Sequence, residues 1–276
     1  MGKFSSVWLL RKKQFQSLTG ITADQFREMA ALLRLHWKQR VVDIKNRDGR
    51  PYGVGGLEEH LLVLLILYRC YITQDFLACL YGVDKATICR SLRRIEGPAR
   101  RVLGVGKQIR VTAEEAQALL LDCTEQSVYR PSHKQRRWYS GKKKRHTIKN
   151  EIIVTEQGKI ISVSDDAPGT VHDIAIRRCG PPLPKEAHIY ADSGYQGYQD
   201  DHPAIDIPYK KSKKKPLTKD ERKYNHALSR FRVRVEHAIA RLKRFRILSD
   251  RFRYPRKSHA AKFSIIAGIT NLIAGF

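Results

Sequence analysis

Two aspartates close apolar, strand-like runs of this chain, and one glutamate lies inside a basic helical stretch. They are Asp122 in ALLLDCTEQSVYRP, Asp192 in HIYADSGYQG and Glu236 in RFRVRVEHAIARLKRFRIL. Carboxylates that approach one another repel, so they gather at low cost only around a divalent cation. Side chains alternate along a strand, which places Asp122 on the face of Leu120 and Thr124 and turns Leu121 and Cys123 the other way. A carboxylate in so apolar a run has to be paired, hydrogen-bonded or metal-bound. Metal held by carboxylates within a positive surface suits the cleavage of phosphodiesters. Each acid alone also has a plainer reading, Asp192 as a turn cap and Glu236 as a surface ion pair with Arg232. Asp165, Asp166 and Asp173 compete for the second place. The first two read as turn residues, whereas Asp173, with His172 beside it in GTVHDIAIRR, reads as a loop supporting the site. Arg232, Glu236 and Lys243 recur at helical spacing and share one face.

The surroundings of these acids are strongly basic. The 276 residues carry 53 Lys and Arg against 27 Asp and Glu, a formal charge of +26. Such an excess is tolerated most easily by a protein whose partner is a polyanion, and nucleic acid is the expected one. Five cysteines without a CxxC pair argue against a disulfide framework or zinc site, and for a reducing cytosol. Residues 1–20 show no signal peptide, and the apolar runs Leu61–Leu67 and FSIIAGITNLIAGF are too short to span a membrane. Both read as buried core helices in a cytoplasmic, nucleoid-associated protein with no membrane partner.

The elements that must position the acids fall into two halves. Residues 1–45 read as helical, with Thr22 or Asp24 capping a helix whose apolar positions are Phe26, Met29, Ala30, Leu33 and Trp37. NRDGRPYGVGG is a loop, and a helix follows from about Leu57 to Tyr71. In QDFLACLYGVDKATICRSLRRI, Ala78, Gly82 and Ile88 take the places of the small residue, turn glycine and β-branched lock of a helix-turn-helix over 74–95. Asp84 or Thr87 would cap its second helix, decorated by Lys85, Arg90, Arg93 and Arg94. The plainer reading is an ordinary helical hairpin. The Gly and Pro punctuation of Gly97–Thr112 marks a boundary, giving a helical domain over 1–105 and a second domain over 116–276. In the latter ALLLDCTEQSV is a buried strand, HTIKNEIIVTEQGKIISVSDD a hairpin and HIYADS a further strand. Helices follow over Lys219–Leu248 and from Ser258 onward. The fold class expected is mixed α/β rather than doubly wound.

Two basic segments remain. KQRRWYSGKKKRH, residues 134–146, should flank the site between the first strand and the hairpin. Its Trp138 and Tyr139 would stack on an unpaired base, or Trp138 would pack in the core while Lys142, Lys143 and Lys144 meet phosphate. YKKSKKKPLTKDERK, residues 209–223, reads as a basic loop gripping the duplex backbone.

LTGITADQF, YGVDKATICRSL, YSGKKKRHTIKN followed by GTVHD, YADSGYQG and RVEHAIARLKRFRIL occur in this order along nearly the whole chain. Together they resemble the DDE transposases of bacterial insertion sequences of the insertion-sequence-five kind, with a related eukaryotic branch in the Harbinger elements. The resemblance implies an RNase H-like catalytic domain, after an all-α helix-turn-helix domain, in which Asp122, Asp192 and Glu236 hold two divalent ions. Magnesium suits oxygen ligands, and manganese should substitute. Arg232 and Lys243 would ground phosphates of the cleaved strand, while base reading falls to Lys85, Thr87 and Arg90. The partners implied are double-stranded DNA, as element ends and target, and a second copy of the chain. Two departures stand out: Cys123 replaces the small residue usual after the first aspartate, and Ser229 replaces a tyrosine of related elements. The rival readings are a domesticated or regulatory DNA-binding protein and an RNase H-like nuclease.

Overall fold

The structure is a computed structural model and describes residues 11–43, 52–109, 111–211 and 216–276. The helical reading of 1–10 and 44–45, the loop reading of 46–51 and the centre of the basic loop, 212–215, lie outside the described residues. Contacts divide the chain into two compact units. One comprises Met1–Gly104, Lys243–Asp250 and Ala261–Gly275; the other comprises Val105–Leu242 and Arg251–Ala260. By contacts the C-terminal helix His259–Ile273 groups, from Ala261, with the helical unit.

The helical unit is built around an apolar rod. Helices α1 (Lys12–Thr19) and α2 (Ala23–Trp37) precede α3 (Leu57–Cys70), in which every side chain from Leu61 to Tyr68 is buried. Thr22 caps α2 by accepting from the Gln25 N–H at 3.2 Å, and the Gln25 side chain returns the bond. Helices α4 (Gln74–Tyr81) and α5 (Lys85–Val102) meet at Gly82, whose φ of 62° is the left-handed turn that glycine adopts without strain. Ala78 and Ile88 are both buried against this turn, the arrangement a helix-turn-helix requires. Asp84 occupies the N-cap of α5 without a side-chain cap bond. Near its end α5 contains Gly97 and Pro98, which cost about 1 and about 3 kcal/mol relative to alanine inside a helix.

The second unit is mixed α/β. A central strand β1 (Ala118–Ser127) pairs antiparallel with β2 (Arg145–Thr155), and β2 pairs antiparallel with β3 (Ile160–Val163). The β2–β3 turn is closed by Gly158 at φ 87°. After helix α6 (Asp173–Arg178), strand β4 (His188–Tyr190) returns parallel to β1, and β5 (Ile205–Asp206) lies parallel to β4. The long helix α7 (Lys219–Lys243) ends earlier than the sequence suggested. Phe245 takes an extended ψ of 107° and buries its ring, so Arg246–Ser249 forms a separate turn. Leu119, Leu121, Ile153, Ile189, Ala191 and Tyr195 form much of the core on one face of the sheet.

Candidate active site

Strand register brings the two aspartates together. β1 and β4 run parallel with Leu120 opposite Tyr190. Carried two residues past that ladder, the same offset sets Asp192, just beyond the end of β4, beside Asp122 in the middle of β1. Their main chains secure them: the Cys123 N–H donates to Asp122 Oδ1 at 2.8 Å, and the Ser193 N–H donates to Asp192 Oδ1 at 2.6 Å. Burial pushes the Asp122 carboxyl up to about 6; the Arg232 charge and the Cys123 bond oppose this, and the charges of Asp192 and Asp173 add to it.

Asp122 and Asp192 line a cleft of about 440 Å³ together with Asp173, His172, Lys149 and Lys142. The pair His172–Asp173, read from sequence as a support, thus lies in the same cleft. Asp173 accepts from Lys149 Nζ at 2.9 Å, and Glu125 stands 3.7 Å from the same ammonium. Burial lowers the proton affinity of Lys149, but the bond and charge of Asp173, with Glu125, outweigh it and hold the pKa above the usual lysine value. Gly194 of DSGYQG fits against this group, since a Cβ there would approach Asp173 Oδ2 to 2.5 Å. Behind the cleft, Glu151 accepts from Arg177 at 2.6 Å and from the Tyr195 hydroxyl at 3.0 Å. Burial raises Glu151 to about 7 against the Arg177 charge and the Tyr195 bond, with Asp173 contributing further.

Cys123 turns toward the core, its Sγ lying 3.4 Å from the Tyr195 hydroxyl. Burial, with Asp173 and Glu151, raises its thiol well above the usual range, so it is a poor nucleophile. Arg232 on α7 faces Asp192 at 3.6 Å with its side chain only 15% exposed, which directs it to the carboxylates rather than to solvent. Glu236 follows one turn later on α7, about 6 Å along the axis. It is exposed and is not among the residues lining the cleft. Among the described residues no three His, Cys, Asp or Glu side chains are grouped closely enough to hold a metal ion. The Asp122–Asp192 pair by itself fits a hard cation that keeps several waters: it offers oxygen donors, partly buried, whose mutual repulsion a dication would relieve.

The flanking basic residues divide by exposure. Lys142, Lys143 and Lys144 are exposed on a turn beside the cleft, and Tyr139 lines it. Trp138 is half-buried, with the Arg256 guanidinium 4.3 Å over its ring, so one face is covered. Lys243 is exposed at the end of α7. In the helical unit Lys85 pairs with Asp75 at 2.8 Å, Arg90 donates to the half-buried Thr87 at 3.0 Å, and Arg93 is exposed. Sequence reasoning missed Lys149, Glu125, Glu151 and Arg177. Lys149 had a signal: it alternates with Glu151 and Ile153 on one strand face, and two charges on an apolar face require partners. Arg177, one of two arginines in IAIRRCG, carried none.

Residues 121–271 match a family model described as DDE superfamily endonuclease, and residues 56–97 match the helix-turn-helix of DDE superfamily endonuclease. The chain is 28% identical over 268 residues to the probable transposase for insertion sequence element IS702 of Microchaete diplosiphon, covering 95% of each. It is 24% identical over 241 residues to the putative transposase for insertion sequence element IS112 of Streptomyces albus G, covering 84% of each. No solved structure matches.

Proposed function

We propose that this chain, which belongs to the DDE superfamily endonucleases, is the transposase of an insertion sequence. It binds the terminal inverted repeats of its element, cleaves there and joins the 3′-hydroxyl ends to target DNA. The observation that carries this reading is that Asp122 in β1 and Asp192 just past the end of the adjacent parallel strand β4 line one cleft, beside a lysine-rich turn. The strand order β3–β2–β1–β4–β5, three antiparallel and then two parallel, supports an RNase H-like catalytic unit.

Asp122, Asp192 and Glu236 would hold two divalent ions, magnesium or manganese. When bound, such ions supply an activated oxygen nucleophile and charge stabilisation for the leaving oxygen. The chain's own residues do the positioning. Arg232 orients and neutralises Asp192, and Lys149 fixes Asp173 and Glu125 so that only selected carboxylates point to the cation. Lys142, Lys143 and Lys144 hold phosphates at the cleft mouth, with Lys243 and Tyr139 contributing along the strand. Glu236 reaches the pair by a rotamer change from one turn along α7. A second reading has Asp173 as third ligand, favoured by its place in the cleft. Lys85, Thr87 and Arg90 read base edges, with Arg93 on the backbone, and two copies of the chain hold the two ends.

The test is cleavage of supercoiled DNA carrying the element's ends with magnesium or manganese. Asp122→Ala, Asp192→Ala and Glu236→Ala should each abolish cutting and leave DNA binding nearly intact. If Asp173→Ala abolishes it while Glu236→Ala does not, the third ligand is Asp173. No cutting by the wild type with either metal would favour a regulatory DNA-binding protein. Equal binding of end-containing and random duplex at fixed salt would favour a general nuclease.

A further inference from the structure

The C-terminal half of α5 forms one wall of a pocket of about 820 Å³ in the helical unit, separate from the aspartate cleft. Five guanidiniums line it, those of Arg40, Arg93, Arg94, Arg100 and Arg101, and no carboxylate does among the described residues. None of the five forms an ion pair among the described residues. Arg94 lies 4.3 Å over the Tyr52 ring, which holds its guanidinium in place. So many like charges facing one space repel one another unless an anion fills it.

The floor of this pocket is unusual. Gly97 and Pro98 line it, and a Cβ at Gly97 would meet nothing within 4 Å. Both residues are poor choices inside an 18-residue helix. Residues that break a local rule mark places where something other than the element's own stability is served. Gly97 leaves exposed backbone between two arginine pairs of α5, Arg93–Arg94 and Arg100–Arg101, and Arg40 lines the same pocket. A glycine surface of this kind admits the close approach of an extended ligand chain.

We propose that this pocket is a seat for the sugar–phosphate backbone of duplex DNA, distinct from the base-reading end of α5. The inference rests on the reading of the helical unit as a DNA-binding module. A recognition helix inserts its N-terminal residues into the major groove. Gly97 lies twelve residues beyond Lys85, about 18 Å along the axis, whereas the groove is about 12 Å wide. The C-terminal half of α5 therefore lies beyond the groove wall, where phosphates and not base edges are presented. Planar guanidinium forks match phosphate oxygens two at a time, which suits arginine here better than lysine. The seat adds affinity and register without sequence information.

The experiment uses the full chain without divalent metal and a labelled random-sequence duplex of about three helical turns, titrated over a range of salt. Arg40→Gln and Arg100→Gln should each lower the slope of log K against log salt by about 0.9, and together weaken binding at least about tenfold at ~0.1 M salt. Gly97→Glu fills the floor and sets a carboxylate among the arginines. It should lose duplex binding while its thermal midpoint stays level or rises, because glutamate is the better helix former. Wild-type affinity and slope in all three variants would overturn the proposal, while Lys85→Ala with Arg90→Ala still showed the module at work. A wild-type chain that binds no duplex would overturn both this inference and the DNA-binding reading beneath it.

Discussion

Asp122→Asn should make the metal-free protein more stable at neutral and alkaline pH while destroying its activity. The Asp122 carboxyl is raised from 3.8 to about 6, first by burial and then by Asp192 and Asp173, against Arg232 and the Cys123 N–H. The folded chain thus takes up a proton more readily than the unfolded one between those values. This carboxyl's contribution to stability is greatest below that window, falls as pH rises through it, and is lowest above it. The full difference corresponds to about 3 kcal/mol, and about half of that after allowing for the carboxyl's residual contact with water. Asparagine keeps the acceptor for the Cys123 N–H but removes the charge. In chelator at about pH 8 the variant should melt roughly 3–10 °C above wild type, and the gap should close toward about pH 4. Added magnesium should raise the wild-type midpoint and leave the variant's nearly unchanged. An Asp122→Asn protein no more stable than wild type at about pH 8, or a gap that does not depend on pH, would refute this account of a strained carboxylate pair.

Other consequences follow from the groups behind the cleft. Arg177→Met strands the buried Glu151 carboxylate and should cost about 3–5 kcal/mol in denaturant unfolding, most of it recovered by Arg177→Met with Glu151→Gln. Gly194→Ala drives a Cβ into Asp173 Oδ2 and should reduce cleavage at least about tenfold with little change in duplex binding. Arg232→Ala removes the largest influence lowering the Asp122 pKa, so the pH onset of metal-dependent cleavage should move upward; an unmoved profile would count against it.

The elements were legible because their signals are local. Apolar spacing wrote α2 and α3, Gly82 between Ala78 and Ile88 wrote the helix-turn-helix, and alternation around Gly158 wrote the β2–β3 hairpin. Asp122 and Asp192 were legible as carboxylates interrupting apolar strands, a cost that the sequence alone exposes. What lay beyond it was partnership between distant residues. Parallel register, set by β1 and β4 across some seventy positions, made the two aspartates neighbours. Lys149 found Asp173 across a strand and a loop, and Arg177 found Glu151, because burying a charge obliges the fold to bring it a counter-charge. The return of the last helix to the helical unit was equally hidden, since an apolar helix records that it must be covered but not by what. The sequence determined which groups carry charge and which segments must be buried; only tertiary packing decided which charges meet.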